Sequence, residues 1–597
     1  MKDKDVAAVV PTTTEGTLAE LPRRNAERAP TDAAFSKKGA DGQWTHVTWD
    51  EFAAEVTALA KGLIASGVDQ GDRIGLMCRT RYEWTLVDFA AWSAGAVVVP
   101  IYETSSPEQV EWILLDSGAK LVVVESPTHR DTVEQVRDRV STLGDVYTVD
   151  EGDLDRLTGL GRDVPDDALA EARSGLDRTS VATIIYTSGT TGRPKGVQLT
   201  HGNFLDLVEN AIEKLGAAVL APGSSTLLFL PLAHVFARFI EVLCVASSVR
   251  MGHTADAKAV VEDFGTFRPT FILAVPRVFE RVFNAAEAKA AAGGKDKIFH
   301  RAATVAIAYS EALDHVRGPG LSLRLQHALF DKLVYSKLRD AMGGQVRYAV
   351  SGGGPLGTRL GHFFRGIGIN ILEGYGLTET TAPVAVNVPD KVKIGTVGPP
   401  LPGTSIRIAD DGEILVRGVG VFNAYHDNDQ ATSEAIRDGW FHTGDLGDLD
   451  EDGYLRITGR KKEILVTSGG KNVAPAVLED RLRAHPLVSQ CIVVGDQKPF
   501  IAAMVTLDPE MWPLWAGSHG LENVSIEEAR SHPKVLEVIQ HAVDRANEAV
   551  SKAESIRKFV VLPGDFTEAN GYLTPSLKMK RNIVMKDFAT EVEKLYS

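Results

Sequence analysis

The sequence predicts an α/β fold in which a large N-terminal domain with several sheets is followed by a smaller, hinged α+β C-terminal domain. Three observations support this prediction. A chain of 597 residues is too long for one hydrophobic core. Short apolar runs alternate with helical patterns over most of the chain, which is typical of buried strands in α/β layers. Beyond Gly398 the pattern changes to short strands and turns.

Buried strands are predicted in the first part of the chain at 95–101, 121–124, 226–230, 271–275, 346–350 and 370–372. Residues 285–340 are instead rich in Ala, Lys and Leu, with a break at Gly318-Pro319-Gly320. We interpret this stretch as a helical excursion within the large domain.

A second unit is predicted to begin after Gly459. In the preceding β-rich region, 412–418 is a predicted strand and 450–453 a predicted turn. The second unit contains predicted strands at 492–494, 502–507 and 559–562 and a helical stretch at 526–554. The charged run 459–463 predicts a short hinge, so the domains are expected to span 1–459 and 460–597.

Composition excludes several classes of function. The chain has 64 basic and 79 acidic residues and a net charge of −15, so nucleic acid is not expected as a partner. The cysteines Cys78, Cys244 and Cys491 lie far apart and indicate neither disulfides nor a zinc site. No signal peptide and no apolar run long enough to span a membrane is found. We expect a cytoplasmic protein, with peripheral contact to the inner face of the membrane left open.

Residues 186–196 read Tyr-Thr-Ser-Gly-Thr-Thr-Gly-Arg-Pro-Lys-Gly and predict a phosphate-binding loop. Glycines let backbone N–H groups approach phosphate, hydroxyls add donors, and a lysine adds charge. The run lacks the Walker A spacing and connects two strand-like segments, 181–186 and 197–199. A flexible linker is the alternative. The candidate ligands are Thr187, Ser188, Gly189, Thr190, Thr191, Gly192 and Lys195.

This run resembles the nucleotide loop of the adenylate-forming superfamily, which includes acyl-CoA synthetases, adenylation domains of peptide synthetases and firefly-type luciferases. The resemblance implies a site for ATP and Mg²⁺. Further motifs, in the order that the superfamily shows, extend it over nearly the whole chain.

Residues 229–238, Phe-Leu-Pro-Leu-Ala-His-Val-Phe-Ala-Arg, resemble the superfamily segment that lines the acyl pocket. The resemblance implies that His234 is a pocket wall or an orienting residue and not a general base. A packed core histidine is the alternative. Arg238 stands where one group of fatty-acid relatives has a gating tryptophan, which leaves open a contact with the substrate carboxylate or a phosphate. Together with 275–279 and the helical excursion, this segment is most similar to the long-chain fatty-acid branch.

Two motifs follow predicted strands. The glycine turn Gly352-Gly353-Gly354 brings backbone close to a flat or bulky group. Residues 373–380, Glu-Gly-Tyr-Gly-Leu-Thr-Glu-Thr, resemble the superfamily's adenine and magnesium motif. Glu373, Gly374 and Tyr375 are thereby implied at the nucleotide, with the ring of Tyr375 on the purine and Thr378 at the α-phosphate. Glu379 and Thr187 are implied as Mg²⁺ ligands. A helix N-terminus capped by Thr378 and Glu379 is the alternative.

The remaining motifs lie around the predicted hinge. His442-Thr-Gly-Asp445 resembles the ribose-binding motif, and Arg460 matches the arginine that approaches the same ribose or phosphate. Lys462 matches the hinge residue, although a solvated lysine is equally plausible. The loop Ser468-Gly469-Gly470 is similar to the loop that lines the path of coenzyme A.

Residues 574–581, Thr-Pro-Ser-Leu-Lys-Met-Lys-Arg, resemble the catalytic-lysine motif of the superfamily. Lys578 falls at the catalytic position, and the choice over Lys580 rests on register alone. Leu577 replaces the commoner glycine.

The ordered set implies a long-chain fatty acid–CoA ligase that forms acyl-AMP and then transfers the acyl group to CoA. A fatty acyl-AMP ligase that loads a carrier protein remains an alternative, although the stretch 461–475 lacks the insertion common in those relatives. A non-catalytic lipid- or nucleotide-binding relative is the third hypothesis, which the joint presence of Lys195, Glu379, Asp445 and Lys578 disfavours. Oligomeric state and chain-length preference are not predicted.

Overall fold

The computed structural model describes residues 2–187, 193–256, 259–574 and 578–597. Within them the strands are β1 (Lys2–Val6), β2 (Ala33–Lys38), β3 (Trp44–Thr48), β4 (Arg73–Met77), β5 (Val97–Ile101), β6 (Leu121–Val124), β7 (Val146–Thr148), β8 (Val181–Thr187), β9 (Lys195–Thr200), β10 (Ser225–Leu228), β11 (Arg250–His253), β12 (Phe271–Ala274), β13 (Tyr348–Ser351), β14 (Asn370–Leu377), β15 (Ala382–Val386), β16 (Thr404–Ile408), β17 (Glu413–Gly418), β18 (Ala424–Tyr425), β19 (Ile436–Arg437), β20 (Trp440–Leu449), β21 (Leu455–Arg460), β22 (Leu465–Val466), β23 (Asn472–Val473), β24 (Val488–Val494), β25 (Ile501–Leu507) and β26 (Ile556–Val561).

The α-helices of the same residues are α1 (Leu21–Arg28), α2 (Trp49–Ala65), α3 (Tyr82–Ser93), α4 (Pro107–Ser117), α5 (Pro127–Glu134), α6 (Asp153–Leu160), α7 (Asp166–Ala172), α8 (His201–Val219), α9 (Val235–Ala246), α10 (Val260–Phe267), α11 (Pro276–Ala292), α12 (Asp296–Leu313), α13 (Leu321–Phe330), α14 (Ser336–Ala341), α15 (Thr358–Gly366), α16 (Asp429–Ala435), α17 (Pro475–Arg483), α18 (Trp512–His519), α19 (Ile526–Ala529), α20 (Pro533–Asn547), α21 (Arg581–Asp587) and α22 (Ala589–Tyr596).

The N-terminal part contains the predicted multi-sheet α/β architecture. A seven-stranded sheet has the order β18-β9-β8-β5-β4-β6-β7, and two four-stranded sheets have the orders β10-β11-β2-β3 and β12-β13-β14-β15. Strands such as β5 (VVVPI) and β6 (LVVV) are apolar throughout because helices cover both sheet faces. The predicted strand at 121–124 coincides with β6, and the predicted helical excursion is confirmed as α11 to α14.

A six-stranded sheet adds the path β1-β16-β17-β20-β19, with β21 paired to β20. Its edge strand β1 was not predicted from the sequence. It pairs antiparallel with β16, so that Asp3 faces Arg407 across the sheet. The Arg407 guanidinium donates to the Asp3 carboxylate at 2.8 Å. The segment Lys-Asp-Lys-Asp-Val lacks the apolar alternation by which a strand is recognised, so its pairing partner identifies it instead.

The C-terminal part forms a separate core. The strands β24, β25 and β26 make one small sheet, and β22 pairs with β23. Among the described residues, two hydrophobic clusters are drawn from 465–596, and three others from 18–457. This separation gives a large and a small domain. The boundary at 459/460 stays a prediction, and it falls within β21, a strand of the N-terminal part.

The two parts contact each other through charged side chains. Arg277 of α11 donates to the Asp508 carboxylate at 3.0 Å, and Arg281 donates to Glu510 at 2.9 Å. Within the residues that the structure describes, no helix combines the length and apolar composition that a membrane span requires. The three cysteines are free and buried, as expected.

Candidate active site

A cavity of about 760 Å³ lies where the carboxyl ends of β13 and β14, the β8–β9 hairpin and the C-terminal domain meet. Crevices at this end of parallel strands are where α/β proteins bind ligands. Of the residues singled out from the sequence, the cavity wall includes Thr187, Lys195, His234, Gly352, Gly353, Gly374, Tyr375, Thr378, Glu379, Asp445, Arg460, Lys462 and Lys578.

The predicted phosphate loop connects two paired strands. Thr187 ends β8 and Lys195 begins β9, and the two residues face each other in the antiparallel register. Both line the cavity, which places a hydroxyl and an ammonium at the base of the loop. The five predicted ligands between them, Ser188, Gly189, Thr190, Thr191 and Gly192, lie outside the described residues.

Glu379 is held by unusual backbone geometry. The strand β14 ends in a single 3₁₀ turn, Thr378–Thr380, followed by two residues with positive φ, Thr381 at 56° and Ala382 at 85°. Such strain in non-glycine residues persists only where the surroundings enforce it. Gly376 is required here, because an added Cβ would lie 1.7 Å from the Ala382 carbonyl oxygen. The motif therefore continues a strand into a single 3₁₀ turn, and no α-helix begins at Thr378 or Glu379.

Tyr425 orients the Glu379 carboxylate and was not recognised in the sequence. Its hydroxyl donates to Glu379 Oε1 at 2.9 Å, and Lys195 Nζ lies 4.9 Å from the centre of its ring. Tyr425 thus connects the predicted metal ligand with the predicted phosphate loop. It belongs to the two-residue strand β18 beside β9. No local motif marks it, so only the sheet pairing could have identified it.

The oxygen donors present fit a magnesium ion bound together with phosphates. Glu379 and Thr187 supply a carboxylate and a hydroxyl on one cavity wall. Across the described residues, no cluster of three or more His, Cys, Asp or Glu side chains forms an all-protein metal site. Mg²⁺ commonly binds through one or two protein oxygens, with substrate phosphates and water completing its shell.

Asp445, which also lines the cavity, lies between two hydrogen-bond partners. Its carboxylate accepts a hydrogen bond from the Tyr375 hydroxyl at 2.7 Å and one from Arg460 Nε at 2.8 Å. Asp445 and Arg460 are cross-strand partners in β20 and β21. Burial and the Asp445 carboxylate raise the pKa of Tyr375 above its usual value, so its hydroxyl remains a donor. Asp445 is buried and fixed in orientation, as a group that recognises paired hydroxyls must be.

The glycine turn approaches the cavity closely. A Cβ on Gly352 would lie 2.9 Å from the Phe236 ring, and Gly353 has a φ of 80°. Gly354 and Glu373 do not line the cavity. The Glu373 carboxylate accepts from the Leu356 N–H at 3.2 Å, and burial raises its pKa to about 7.

His234 caps the N-terminus of α9. Its Nδ1 accepts a hydrogen bond from the Phe236 N–H at 3.2 Å, which leaves Nε2 to carry the proton. Burial, followed by the charge of Lys578, lowers the pKa of His234 to about 3. A neutral imidazole with such a low pKa is a poor proton acceptor at neutral pH. This geometry agrees with an orienting side chain and not a general base.

An apolar branch extends from His234 between α8 and α9. Its walls are Ala211, Leu215, Val219 and Leu220 on one side and Phe236, Phe239, Ile240 and Leu243 on the other. The contribution of α8 was not predicted, although its apolar residues recur at helical spacing. Residues 275–279, which the sequence comparison with the long-chain branch suggested as a second pocket segment, do not line the cavity.

Arg238 does not face the cavity. Its guanidinium is fully buried, binds both carboxylate oxygens of Asp88, and donates to Thr183 Oγ1 at 2.6 Å. An arginine committed to a buried carboxylate has no free face for a substrate. The open possibility that Arg238 contacts the substrate carboxylate or a phosphate is therefore not supported, and the residue fixes α9 against α3.

Lys578 enters the cavity from the C-terminal domain. The Lys578 side chain keeps solvent contact within the cavity. Desolvation by the surrounding protein, followed by the charge of Arg460, lowers its pKa, while the charges of Asp445 and Glu379 act in the opposite direction. The backbone around it is fixed by a hydrogen bond from the Lys578 N–H to Thr574 Oγ1 at 3.0 Å. Lys578 lies among the nucleotide-site residues, whereas Lys580 does not line the cavity.

The predicted hinge is a 3₁₀ turn, Lys461–Glu463. Lys461 Nζ binds Asp411 at 2.6 Å and Glu413 at 3.0 Å, and Glu413 also accepts from the Gly444 N–H at 3.0 Å. Lys462 is exposed and lines the cavity. The predicted coenzyme A loop, Ser468-Gly469-Gly470, is exposed and lies away from the cavity in this arrangement of the domains.

Comparisons with known proteins show the family of the chain. The chain matches the AMP-binding enzyme family over residues 22–426 and the AMP-binding enzyme C-terminal domain over 462–597. It is 52% identical to long-chain-fatty-acid–CoA ligase FadD15 of Mycobacterium bovis over 96% of each chain. It is 32% identical to the peroxisomal long chain acyl-CoA synthetase 7 of Arabidopsis thaliana, over 94% of this chain and 83% of that one. Among solved structures, the anthranilate CoA ligase AuaEII in complex with anthranoyl-AMP covers 96% of this chain and 98% of its own, with a TM-score of 0.71 and 20% identity. The chain belongs to the AMP-binding enzyme family.

Proposed function

We propose that the protein is an ATP-dependent long-chain fatty acid–CoA ligase. One observation carries the proposal: a single cavity joins a polar end, lined by Lys195, Glu379 and Lys578, to an apolar branch between α8 and α9. The polar end suits a nucleotide triphosphate, and the branch suits an alkyl chain. The printed names of the relatives that are 52% and 32% identical support the same activity.

The first half-reaction joins the fatty acid to AMP. An oxygen of the fatty carboxylate attacks the α-phosphorus of ATP, the bond to the β-phosphate oxygen breaks, and acyl-AMP and pyrophosphate form. Lys578 and Thr378 are proposed to contact the α-phosphate and carboxylate oxygens, where negative charge accumulates in the transition state. Asp445 is proposed to hold the ribose and Tyr375 the purine. No covalent nucleophile of the protein is needed, because positioning and charge neutralisation supply the catalysis.

Glu379 and Thr187 are proposed to hold magnesium, which would neutralise charge on the triphosphate when bound. The Tyr425 hydroxyl keeps the Glu379 carboxylate pointed into the cavity. His234, neutral and hydrogen-bonded through Nδ1, is proposed to orient the carboxyl head group at the entrance of the apolar branch.

The second half-reaction transfers the acyl group to CoA. The CoA sulfur attacks the acyl carbon, and AMP leaves with the electrons of the anhydride bond. The loop Ser468-Gly469-Gly470 is proposed to reach the site after a rotation about Lys462, which would remove Lys578. The short elements β22 and β23 lead directly to α17, so the stretch after the hinge is compact. This observation favours CoA over a carrier protein as acceptor.

Activity on octanoate, palmitate and lignocerate tests the proposal. With palmitate and lignocerate, AMP release should require CoA, and one thioester should form for each AMP released. Accumulation of acyl-AMP without an effect of CoA would favour the carrier-protein reaction, and the absence of any ATP turnover would favour a binding protein. We further propose a cytoplasmic location with peripheral contact to the membrane that supplies the fatty acid.

A further inference from the structure

The helical run from α13 to α14 carries a stripe of exposed leucines. Leu321, Leu325 and Leu329 are spaced four residues apart and are 80%, 73% and 56% exposed, and Leu333 one turn later is 49% exposed. This spacing places them along one side of the helix. Val316, in the loop that precedes the helix, is fully exposed. Apolar residues scattered singly on a surface are ordinary, but a continuous stripe of this length marks an interaction surface.

The opposite side of the same helix is fixed to the protein. The ring of His327 stacks on Tyr309 with 3.9 Å between ring centres, and its Nε2 lies 2.6 Å from the Gly366 carbonyl oxygen. Gln326 accepts a hydrogen bond from Arg301 at 3.0 Å. Phe330 packs against the core beneath α12. The helix is therefore held in one orientation, and its leucines are directed away from the molecule.

Basic residues surround the stripe. Arg324, Lys332 and Lys337 are exposed on the same run, and Arg317 is exposed in the loop that precedes it. Of the three carboxylates within residues 313–341, Asp314 binds Arg365 at 2.8 Å, Asp331 binds Arg339 at 2.7 Å, and Asp340 is exposed. Because two of the three acidic side chains are neutralised in pairs and four further cations are exposed, this face is positive on a protein whose net charge is −15.

We propose that this face, which we call the leucine stripe, docks on the surface of an anionic lipid bilayer. The leucines would enter the boundary between headgroups and acyl chains, while the four cations bind anionic headgroups. A second copy of the chain fits less well, because a symmetric contact would bring the same four cations against one another. The inference rests on the proposed peripheral contact with the membrane and assigns a surface to it.

Vesicle binding tests the leucine stripe directly. The full-length protein should sediment with vesicles of phosphatidylglycerol and phosphatidylcholine, and weakly with phosphatidylcholine alone. The triple variant L321S/L325S/L329S should lower the partition coefficient by about 10-fold or more, since three apolar side chains no longer enter the bilayer. The variant R324Q/K332Q should weaken binding and reduce its dependence on salt. The control L160S/L514S replaces leucines that are 53% and 50% exposed on other elements and should bind as the unaltered protein does.

Further measurements separate this inference from the proposed activity. Thioester formation from octanoate, which is water-soluble, should be unchanged in the triple variant, and circular dichroism should show an unaltered fold. If the triple variant binds anionic vesicles as tightly as the unaltered protein, the stripe is not the docking surface. If vesicle binding is absent but the triple variant changes the sedimentation equilibrium from dimer to monomer, the stripe is instead an interface between two copies. If the unaltered protein forms no thioester from octanoate, palmitate or lignocerate, that result counts against the proposed function and not against docking.

Discussion

Glu379 is the residue on which the metal assignment depends most. Glu379→Gln keeps the size of the side chain and removes the charge, so acyl-AMP formation should fall by roughly 10²-fold or more. Pyrophosphate release at several Mg²⁺ concentrations measures the effect. Tyr425→Phe is the matched variant, because it removes the 2.9 Å hydrogen bond to Glu379 and leaves the carboxylate. It should lower activity less and raise the Mg²⁺ concentration required. Full activity of Glu379→Gln at saturating Mg²⁺ would exclude this ligand.

Glu373 should make the stability of the protein depend on pH. Burial raises the pKa of its carboxyl from 4.5 to about 7, so the folded state retains a proton that the unfolded state has lost. This group therefore contributes its full stabilisation below about pH 4.5, and that contribution is lost as the pH rises through 7. Relative to Glu373→Gln, the unaltered protein should lose thermal stability between pH 5 and pH 8.

Thermal unfolding of both proteins at each pH measures this difference. Glu522→Gln, at an exposed position in the C-terminal domain, is the control and should follow the unaltered protein. Parallel curves for Glu373→Gln and the unaltered protein would show that Glu373 is ionised in the folded state at neutral pH.

The sequence identified the site residues that carry recognisable chemistry and missed those that act through pairing. Lys195, Glu379 and Asp445 were each marked by a motif that contains glycine and threonine, and Lys578 by its match to the catalytic-lysine motif; the structure brings all four to one cavity. Tyr425 had no such motif, because its importance comes from β18 lying beside β9. Contacts across a sheet depend on register, which a single segment does not reveal.

At the scale of elements, α9 shows how one helix serves two purposes. Phe239 and Leu243 line the apolar branch, whereas Arg238 and Glu241 are buried on another face. Sequence periodicity could not have predicted this, because a helix buried on all sides has no polar face. Burial and the neighbouring Asp88 raise the pKa of Glu241, which favours its neutral form. The positive charge of Arg238 is then balanced by the carboxylate of Asp88.

Arg238→Leu should destabilise the protein by about 3–5 kcal/mol, since it leaves the Asp88 carboxylate buried without its partner. Urea unfolding measures the loss. The double variant Asp88→Leu with Arg238→Leu should recover part of it, because no charge then remains unpaired. The KM for the fatty acid should change little in whichever variant folds. A stable Arg238→Leu protein with a greatly raised KM would return Arg238 to the substrate site.

At the scale of the whole molecule, the sequence predicted a large and a small domain, but it did not predict how the two are arranged in this structure. The charged run at 459–463 predicts a hinge, and in the structure Lys461 of this run is bound by Asp411 and Glu413 of the N-terminal part. Lys578 lies among the nucleotide-site residues in this arrangement, while the predicted CoA loop is exposed. These positions match the roles proposed for acyl-AMP formation, so thioester formation is expected to need a second arrangement.

Two substitutions should separate the half-reactions. Lys578→Ala should slow acyl-AMP formation by ~10²–10³-fold, the scale of losing one preorganised donor, and should spare thioester formation from preformed acyl-AMP. Lys462→Pro fixes φ near −65° and should hold the hinge in one arrangement. Because the arrangement seen here has Lys578 in the cavity, acyl-AMP formation should persist in Lys462→Pro and thioester formation should fail. Rapid-quench assays of each half-reaction, on protein with an unaltered circular dichroism spectrum, measure both.

Lys580→Ala is the control for Lys578→Ala. Loss of acyl-AMP formation in Lys580→Ala with full activity in Lys578→Ala would transfer the catalytic assignment to Lys580. If both variants lose both half-reactions to the same extent, the proposed rotation between two domain arrangements is contradicted, because Lys578 and the hinge would then not serve different steps.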